Sequence, residues 1–423
     1  LVHWNQADAE MAFHSEEVVS RLLEQGHEAY WVGGCVRDEL MGRPVHDMDI
    51  TTSALPEAVE SVFERTVPTG IKHGTVTVLC GSYAYEVTTY RVEGAYENHR
   101  RPSEVEFVSD LKEDLKRRDF TFNAMARSID GTIVDPYQGM ADLKNGVVRC
   151  VGNARTRFQE DALRMVRCIR FASVFGFSIA YRTWKGLVEE RTNIQYVAME
   201  RFRVELEKLM EGRRPSRGLY LLYRSGLLSD AKIPFTYEPD IDLVPILDEI
   251  PSEEAIIRWA FLLRACGLNA EEAHRVLRHW TFANSTRKQI ADILSVGEET
   301  AAFNTTGKNS SCKEYWISIV LKYGREAAER WLLMIDFIGL NASAAYPVEL
   351  ISDFKAWTKE MGIYRLSELA ISGKDLLEVS GLKGGPWVSE IMSKLLVMVA
   401  SQALPNNREQ LIDEVKRVIS SNE

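Results

Sequence analysis

YWVGGCVRDELMGRPVHDMDITT, residues 30–52, holds a Gly-Gly pair, an Arg-Asp pair and an Asp-x-Asp in one short stretch. AYWV (29–32) has the make-up of a short strand, and it runs into Gly33-Gly34. VRDELMG (36–42) then starts a helix that Gly42 ends. Glycines between a strand and a helix let the backbone approach a ligand closely, with amide N–H groups and Arg37 facing negative charge. Many turns contain Gly-Gly, and the pair gains weight from lying 13 residues before Asp47. Asp47 and Asp49 are two apart, a spacing that on a strand points both side chains to one face. Carboxylates that close repel unless a cation sits between them. Mg²⁺ suits such a pair, because it takes one or two carboxylates and completes its shell with phosphate oxygens and water. It also activates an attacking hydroxyl and neutralises a leaving group. Two exposed acids at a strand end are the competing reading.

Outward from this stretch, AFHSEEVVSRLLEQGHE (12–28) has the pattern of an amphipathic helix, and ALPEAVESVFER (54–65) of another, with Pro56 in its first turn. TVTVLC and YAYEVTTYR flank Gly81-Ser82 as a β-hairpin. Glu86, on its second strand, is a candidate third carboxylate for the metal, with an exposed strand glutamate as the alternative. From about residue 155 the period becomes helical, in RFQEDALRMVRCIRFASVFGF (157–177), AMERFRVELEKLM (198–210) and nearly everything beyond. The expected fold is α+β: an N-terminal α/β head with a small mixed sheet, then an elongated all-helical remainder.

A chain of 423 residues implies more than one domain, and 45% hydrophobic with 26% charged residues is ordinary for a globular protein. No apolar run approaches the ~20 residues that span a bilayer. LVHWNQADAE lacks the basic and apolar regions of a secretory signal, so a cytoplasmic protein is expected. The six cysteines are scattered without a C-x-x-C pair or a Cys/His cluster, which predicts free thiols and no zinc site. A net charge of −10 argues against a protein that coats nucleic acid, but it permits a local basic groove.

Residues 157–171 interleave Glu160, Asp161, Arg164, Arg167 and Arg170 with apolar positions. Glu160 and Arg164 are i,i+4 partners, and Asp161 and Arg164 are i,i+3. A surface salt-bridge ladder is one reading. The other is base recognition, since Asp accepts hydrogen bonds and Arg donates them. Cytosine and adenine each present an amino donor beside a ring-nitrogen acceptor, which an Asp–Arg pair fits. Guanine and uracil present the reverse order. A mispaired buried polar group costs roughly 1–3 kcal/mol, about ten- to a hundredfold.

GGCVRD (33–38), DMD (47–49), LKRRDFTFNAMA (115–126) and EDALRMVR (160–167), in that order, resemble the signature motifs of the class II tRNA nucleotidyltransferases, the bacterial CCA-adding enzymes of the polymerase-β-like superfamily. AMERFRVELEKLM resembles the next helical motif of that family, and ISGKDLLEVSGLKGG its C-terminal pattern. The resemblance implies a head (1–154), neck (155–215), body (216–305) and tail (306–423), with Asp47 and Asp49 on catalytic Mg²⁺. It further implies that Gly34, Arg37, Arg118, Asp119, Asn123, Arg167 and Arg170 bind the nucleotide, Asp119 as acceptor for the 2′-OH. Asp161 and Arg164 would then be the amino-acid template for C and A. The implied reaction is attack of a tRNA 3′-hydroxyl on the α-phosphate of CTP or ATP, releasing pyrophosphate. The helical part would hold tRNA, with Arg213, Arg214 and Arg217 as candidate phosphate contacts or else a solvated helix end.

YRVEGAYENHRRPSEVEF (90–107) reads as a long mobile loop. By the resemblance, its presence argues against a CC-only enzyme and leaves an A-adding enzyme open. A poly(A) polymerase, which tends to carry a basic C-terminal extension, fits the chain end less well. Two readings of another class are a nucleotide-binding regulator and a haloacid-dehalogenase-type phosphatase. DMDIT matches the phosphatase motif D-x-D-x-T, but GRPVH before it is a poor buried strand.

Overall fold

The structure is a computed structural model that describes residues 3–93, 96–97, 101–102, 105–306, 312–341 and 347–420. The chain divides into two compact units, Leu1–Thr236 and Tyr237–Glu423.

In the first unit, α1 (Ala9–Glu24) starts where the Asp8 side chain accepts the amides of Glu10 and Met11. It ends four residues before the expected position, because the Gly26-His27 turn feeds β1 (Ala29–Val32). There follow α2 (Gly34–Leu40), β2 (Ile50–Thr52), α3 (Pro56–Val62), β3 (Thr66–Gly70), β4 (Thr75–Cys80) and β5 (Tyr83–Thr89). One sheet has the order Ile133–Val134, Ala126–Arg127, β1, β2, β5, β4, β3. Only the β2–β5 pair is parallel, with Ile50 opposite Val87. The sheet is therefore mixed, and β4 and β5 form the expected hairpin with Cys80 opposite Tyr83.

The apolar stripe of α1 (Val18, Val19, Leu22) is fully buried against the sheet. Each such side chain contributes about 1.5–3 kcal/mol. Polar atoms under the helix are matched: Trp31 Nε1 donates to Ser15 Oγ at 3.1 Å, and the Tyr85 hydroxyl to the Met11 carbonyl at 2.7 Å.

Two sequence expectations are corrected here. Within the stretch read as a loop, Arg91–Glu93 pairs with Val105–Phe107, and Tyr96–Glu97 with Arg101–Pro102, both antiparallel. β-Branched and aromatic residues at these positions favour pairing over a bare loop. Residues 94–95, 98–100 and 103–104 of that stretch lie outside the described residues. The helix expected through 157–177 is two helices, Ala154–Glu160 and Leu163–Phe175. Asp161 between them is extended, and its Oδ1 accepts the Leu163 amide at 3.1 Å. An aspartate offers the backbone this alternative to an unbroken helix.

The second unit is helical. Helices Cys312–Tyr323, Arg325–Asn341 and Val348–Glu360 enclose Trp316, which stacks on Phe354 at 4.2 Å and donates to Thr358 Oγ1 at 2.9 Å. Pro386–Ala400 and Arg408–Ser420 close a second core around Leu395, Leu411 and Val415. Among the described residues no helix is long and apolar enough to cross a membrane.

Candidate active site

A cavity of about 580 Å³ in the first unit gathers residues from four separate sequence stretches. Gly33, Gly34, Arg37, Asp47 and Asp49 line it from the stretch between β1 and β2. Arg118, Asp119 and Asn123 come from the turn after the helix Leu111–Lys116, and Asp161, Arg164, Arg167 and Arg170 from the break and helix at 161–175. On a chain of net charge −10, its wall carries eight Arg or Lys side chains against five aspartates. That local excess attracts a polyanion.

Asp47 and Asp49 precede β2 and do not lie within it. The Val32 amide donates to the Asp49 carbonyl at 2.9 Å, so pairing with β1 reaches that residue. Met48 is buried between the two acids, which leaves both carboxylates facing the cavity. Gly33 has φ +74°, and a Cβ there would lie 3.0 Å from Arg118 Nη1. The left-handed conformation favours glycine, and a Cβ would press on the tip of Arg118. Gly33→Ala is expected to cost about 1–3 kcal/mol and to displace Arg118; a thermal melt and the affinity for inorganic pyrophosphate measure the two effects. Glu86 follows from strand register: Ile50 opposite Val87 sets Glu86 beside Asp49 on the adjacent strand. Its side chain is exposed.

The arginines are held from below. Arg37, Arg167 and Arg170 lie over the Phe171 ring at 5.2, 5.5 and 3.9 Å, and Phe171 packs edge-on against Phe120 and Phe122. The ring attracts guanidinium groups that would repel one another in the open. Glu205, buried, takes Arg170 at 2.5 Å and Arg167 at 3.5 Å. Asp114, also buried, takes Arg117 at 2.9 Å and lies 3.7 Å from Arg118. Neither acid was singled out from sequence. Glu205 carries a weak signal, four residues after Arg201 in a helical motif.

Asp119 accepts from the Phe120 amide (2.8 Å), Asn123 Nδ2 (2.9 Å), and Arg167 Nε and Nη2 (2.9 and 2.7 Å). Burial alone would raise its pKa, but Arg167, the Asn123 bond and Arg164 outweigh that and hold the carboxyl well below the usual range. These four donors occupy its ~4 lone-pair sites. A ribose hydroxyl can bond there only when one of them lets go.

The ladder across 160–164 is partly as expected. Arg164 binds Glu160 at 2.7 Å and donates to the Arg117 carbonyl at 2.9 Å. Asp161 does not pair with Arg164 and instead pairs with Arg201 at 2.8 Å, because the helix break turns its side chain toward the helix Met199–Met210. Arg201 also lines the cavity and was missed, being 40 residues away in sequence. Of the basic cluster after the helix Met199–Met210, Arg213 and Arg214 are exposed, while Arg217 caps a helix end by donating to the carbonyls of Gly176 and Phe177 at 3.1 and 2.7 Å.

The chain is similar to known proteins along most of its length. The family model "Poly A polymerase head domain" matches residues 29–149, "Probable RNA and SrmB- binding site of polymerase A" matches 176–231, and "tRNA nucleotidyltransferase domain 2 putative" matches 250–415. The CCA-adding enzyme of Lactiplantibacillus plantarum is 35% identical over 421 residues, covering 96% of each chain. That of Bacillus cytotoxicus is 38% identical over 394 residues, covering 93% of this chain and 95% of its own. The chain belongs to the family of CCA-adding enzymes. The crystal structure of the Bacillus stearothermophilus CCA-adding enzyme in complex with CTP matches with a TM-score of 0.81 at 32% identity, over 98% of this chain and 99% of that one.

CCA-adding enzymes are nucleotidyltransferases, a family whose chemistry uses a divalent metal. The residues present fit one. Burial, then the charges of Asp47 and Glu86, push the Asp49 carboxyl up to about 6 against the pull of Arg118. Its negative charge is thus under-compensated by protein alone. A carboxyl with a raised folded-state pKa binds more protons folded than unfolded. Metal-free stability therefore falls as pH rises from about 4 to about 6, and the loss persists above it. In EDTA at neutral pH, Asp49→Asn is expected to melt about 2–6 °C above the parent, and a divalent cation should close that gap. Equal melting in EDTA would contradict this reading.

Proposed function

We propose that this cavity adds C, C and A to the 3′ end of tRNA without a nucleic-acid template, taking CTP and ATP and releasing pyrophosphate. The observation that carries the proposal is the meeting, in one basic cavity, of Asp47 and Asp49 with Asp161 and Arg164, each of the last two held by other partners. Asp47 and Asp49 would hold Mg²⁺, the hard cation that suits two carboxylates and phosphate oxygens, with Glu86 as the neighbouring acid. When bound, the metal activates the attacking hydroxyl and neutralises the leaving group. Gly34, Arg37, Arg118, Asn123, Arg167 and Arg170 bind the triphosphate and ribose. Asp119 fixes Arg167 and Asn123 and accepts the 2′-OH when one of its donors is released.

Base choice falls to Asp161 and Arg164. Arg201 and the Leu163 amide fix Asp161, and Glu160 with two main-chain carbonyls fixes Arg164. Such a preset acceptor and donor meet the amino group and ring nitrogen of C or A. Fixing them beforehand removes the ordering cost at the moment of binding. Arg213 and Arg214 are the exposed candidates for tRNA phosphates. Head, neck, body and tail remain our division of the chain at 154, 215 and 305, and a cytoplasmic location accords with a tRNA substrate.

The relatives do not favour an A-adding enzyme, a poly(A) polymerase, a phosphatase or a regulator. Incubation with tRNA lacking CCA and labelled CTP or ATP, singly and together, tests the reading. C is expected from CTP alone, and A only once CTP is supplied. Incorporation of A solely onto tRNA ending in CC, or long A tails on unrelated RNA, would replace it.

A further inference from the structure

Away from the cavity, on the α1 side of the sheet, three ligand-type atoms form a closed triangle. Cys80 Sγ lies 3.6 Å from His14 Nδ1 and 3.4 Å from Glu17 Oε2, and these last two are 3.5 Å apart. Among the described residues, no other group of three His, Cys, Asp or Glu ligand atoms draws so close. The sequence hid it: His14 and Glu17 share one face of α1, and Cys80 ends β4 more than sixty residues later.

We propose that His14, Glu17 and Cys80 form a binding site for a thiophilic divalent cation, with zinc the best match. Zinc bonds of ~2.0–2.1 Å to nitrogen, ~2.0–2.2 Å to oxygen and ~2.3 Å to sulfur, at tetrahedral angles, set N···O near ~3.3 Å and both edges to sulfur near ~3.5 Å. The triangle has those edges. Its N···O edge is too long for a hydrogen bond, which runs ~2.7–3.2 Å. The two sulfur edges are within hydrogen-bond reach and the third is an ion-pair distance, so polar contacts hold the three atoms in a triangle already sized for a cation. The ring is also built in. Gly81, at φ +60°, would place a Cβ only 2.4 Å from His14 Nε2, so the hairpin turn admits the imidazole because that residue is glycine. Glu10 Oε1 stands 3.9 Å from Nε2, an ion-pair distance rather than a hydrogen bond.

Three protein ligands leave a fourth position, which the exposed side of Glu17 opens to water. Binding exchanges the Cys80 S–H bond for a sulfur–metal bond and releases one proton to solvent. The site clamps α1 to the β4–β5 hairpin and uses none of the oxygen ligands of the catalytic cavity.

The test uses the full chain stripped with EDTA and titrated with zinc chloride against a chromogenic chelator, and separately with Co²⁺. One zinc per chain that remains bound in Asp49→Asn, and a sulfur-to-cobalt charge-transfer band, are expected. Cys80→Ser should abolish the band and weaken zinc at least ~10-fold. Glu17→Gln, on an exposed helix face, should weaken zinc in the same direction if the serine variant folds poorly. Asp49→Asn should retain both signals. No band, or a band and affinity unchanged in Cys80→Ser or Glu17→Gln, would overturn the proposal.

Discussion

Asp49→Asn is expected to lower single-turnover incorporation of C by ~10³-fold or more, about 4 kcal/mol of transition-state stabilisation. Asp47→Asn should do the same. Asparagine keeps the shape of each side chain and removes the charge that opposes a cation. CTP should still bind, because Arg167 and Arg170 are held by the Phe171 ring and by Glu205 and not by either acid. The loss is thus expected in the chemical step and only weakly in nucleotide affinity, a split that rapid-quench kinetics over a range of CTP concentrations resolves. A variant that binds CTP poorly yet reacts at the parent rate once saturated would assign these acids to binding alone.

Arg164→Ala should relax the rejection of GTP and UTP by about ten- to a hundredfold, and Asp161→Ala by a similar factor. Arg164 also ties Glu160 to the Arg117 carbonyl, so total activity will fall as well. The informative quantity is the ratio of kcat/KM for CTP to that for UTP, which a general loss of rate leaves unchanged. Arg201→Ala frees Asp161 from its ion pair and should erode the same ratio more weakly. Selectivity intact in both Arg164→Ala and Asp161→Ala would leave base choice to the cavity's shape.

What the sequence disclosed, and what it hid, follows from the range of the interactions. The switch to helical period near residue 155 is a local signal, and the helices beyond it follow that signal, whereas the boundary between the two compact units falls later, at Thr236, where no change of period marks it. The Gly81-Ser82 turn between alternating strands is also local, and the hairpin forms in the register it sets. Gly33-Gly34 and Asp-x-Asp lie close in sequence, so their convergence was visible. The partners were not. Asp161 looked like a helical neighbour of Arg164, yet its own side chain breaks that helix and finds Arg201. Glu205 and Asp114, which hold four arginines in place, sit in ordinary-looking helical stretches. The scattered cysteines gave no hint that Cys80 would meet His14 and Glu17, because only the packing of α1 on the sheet brings them together. Residues 90–107 carry a proline, a glycine and charge that suggest a loop, while the pairing of Arg91–Glu93 with Val105–Phe107 depends on partners a dozen residues apart.

The central claim is that one cavity performs both the chemistry and the choice of base. Single-turnover extension of a tRNA lacking CCA, with all four nucleoside triphosphates at equal concentration and the new 3′ ends sequenced, tests it most directly. The parent protein should write CCA, Asp49→Asn should leave the ends unextended, and Arg164→Ala should write mixed ends containing G or U. A clean CCA end from Arg164→Ala, or extension at the parent rate by Asp49→Asn, would contradict the account.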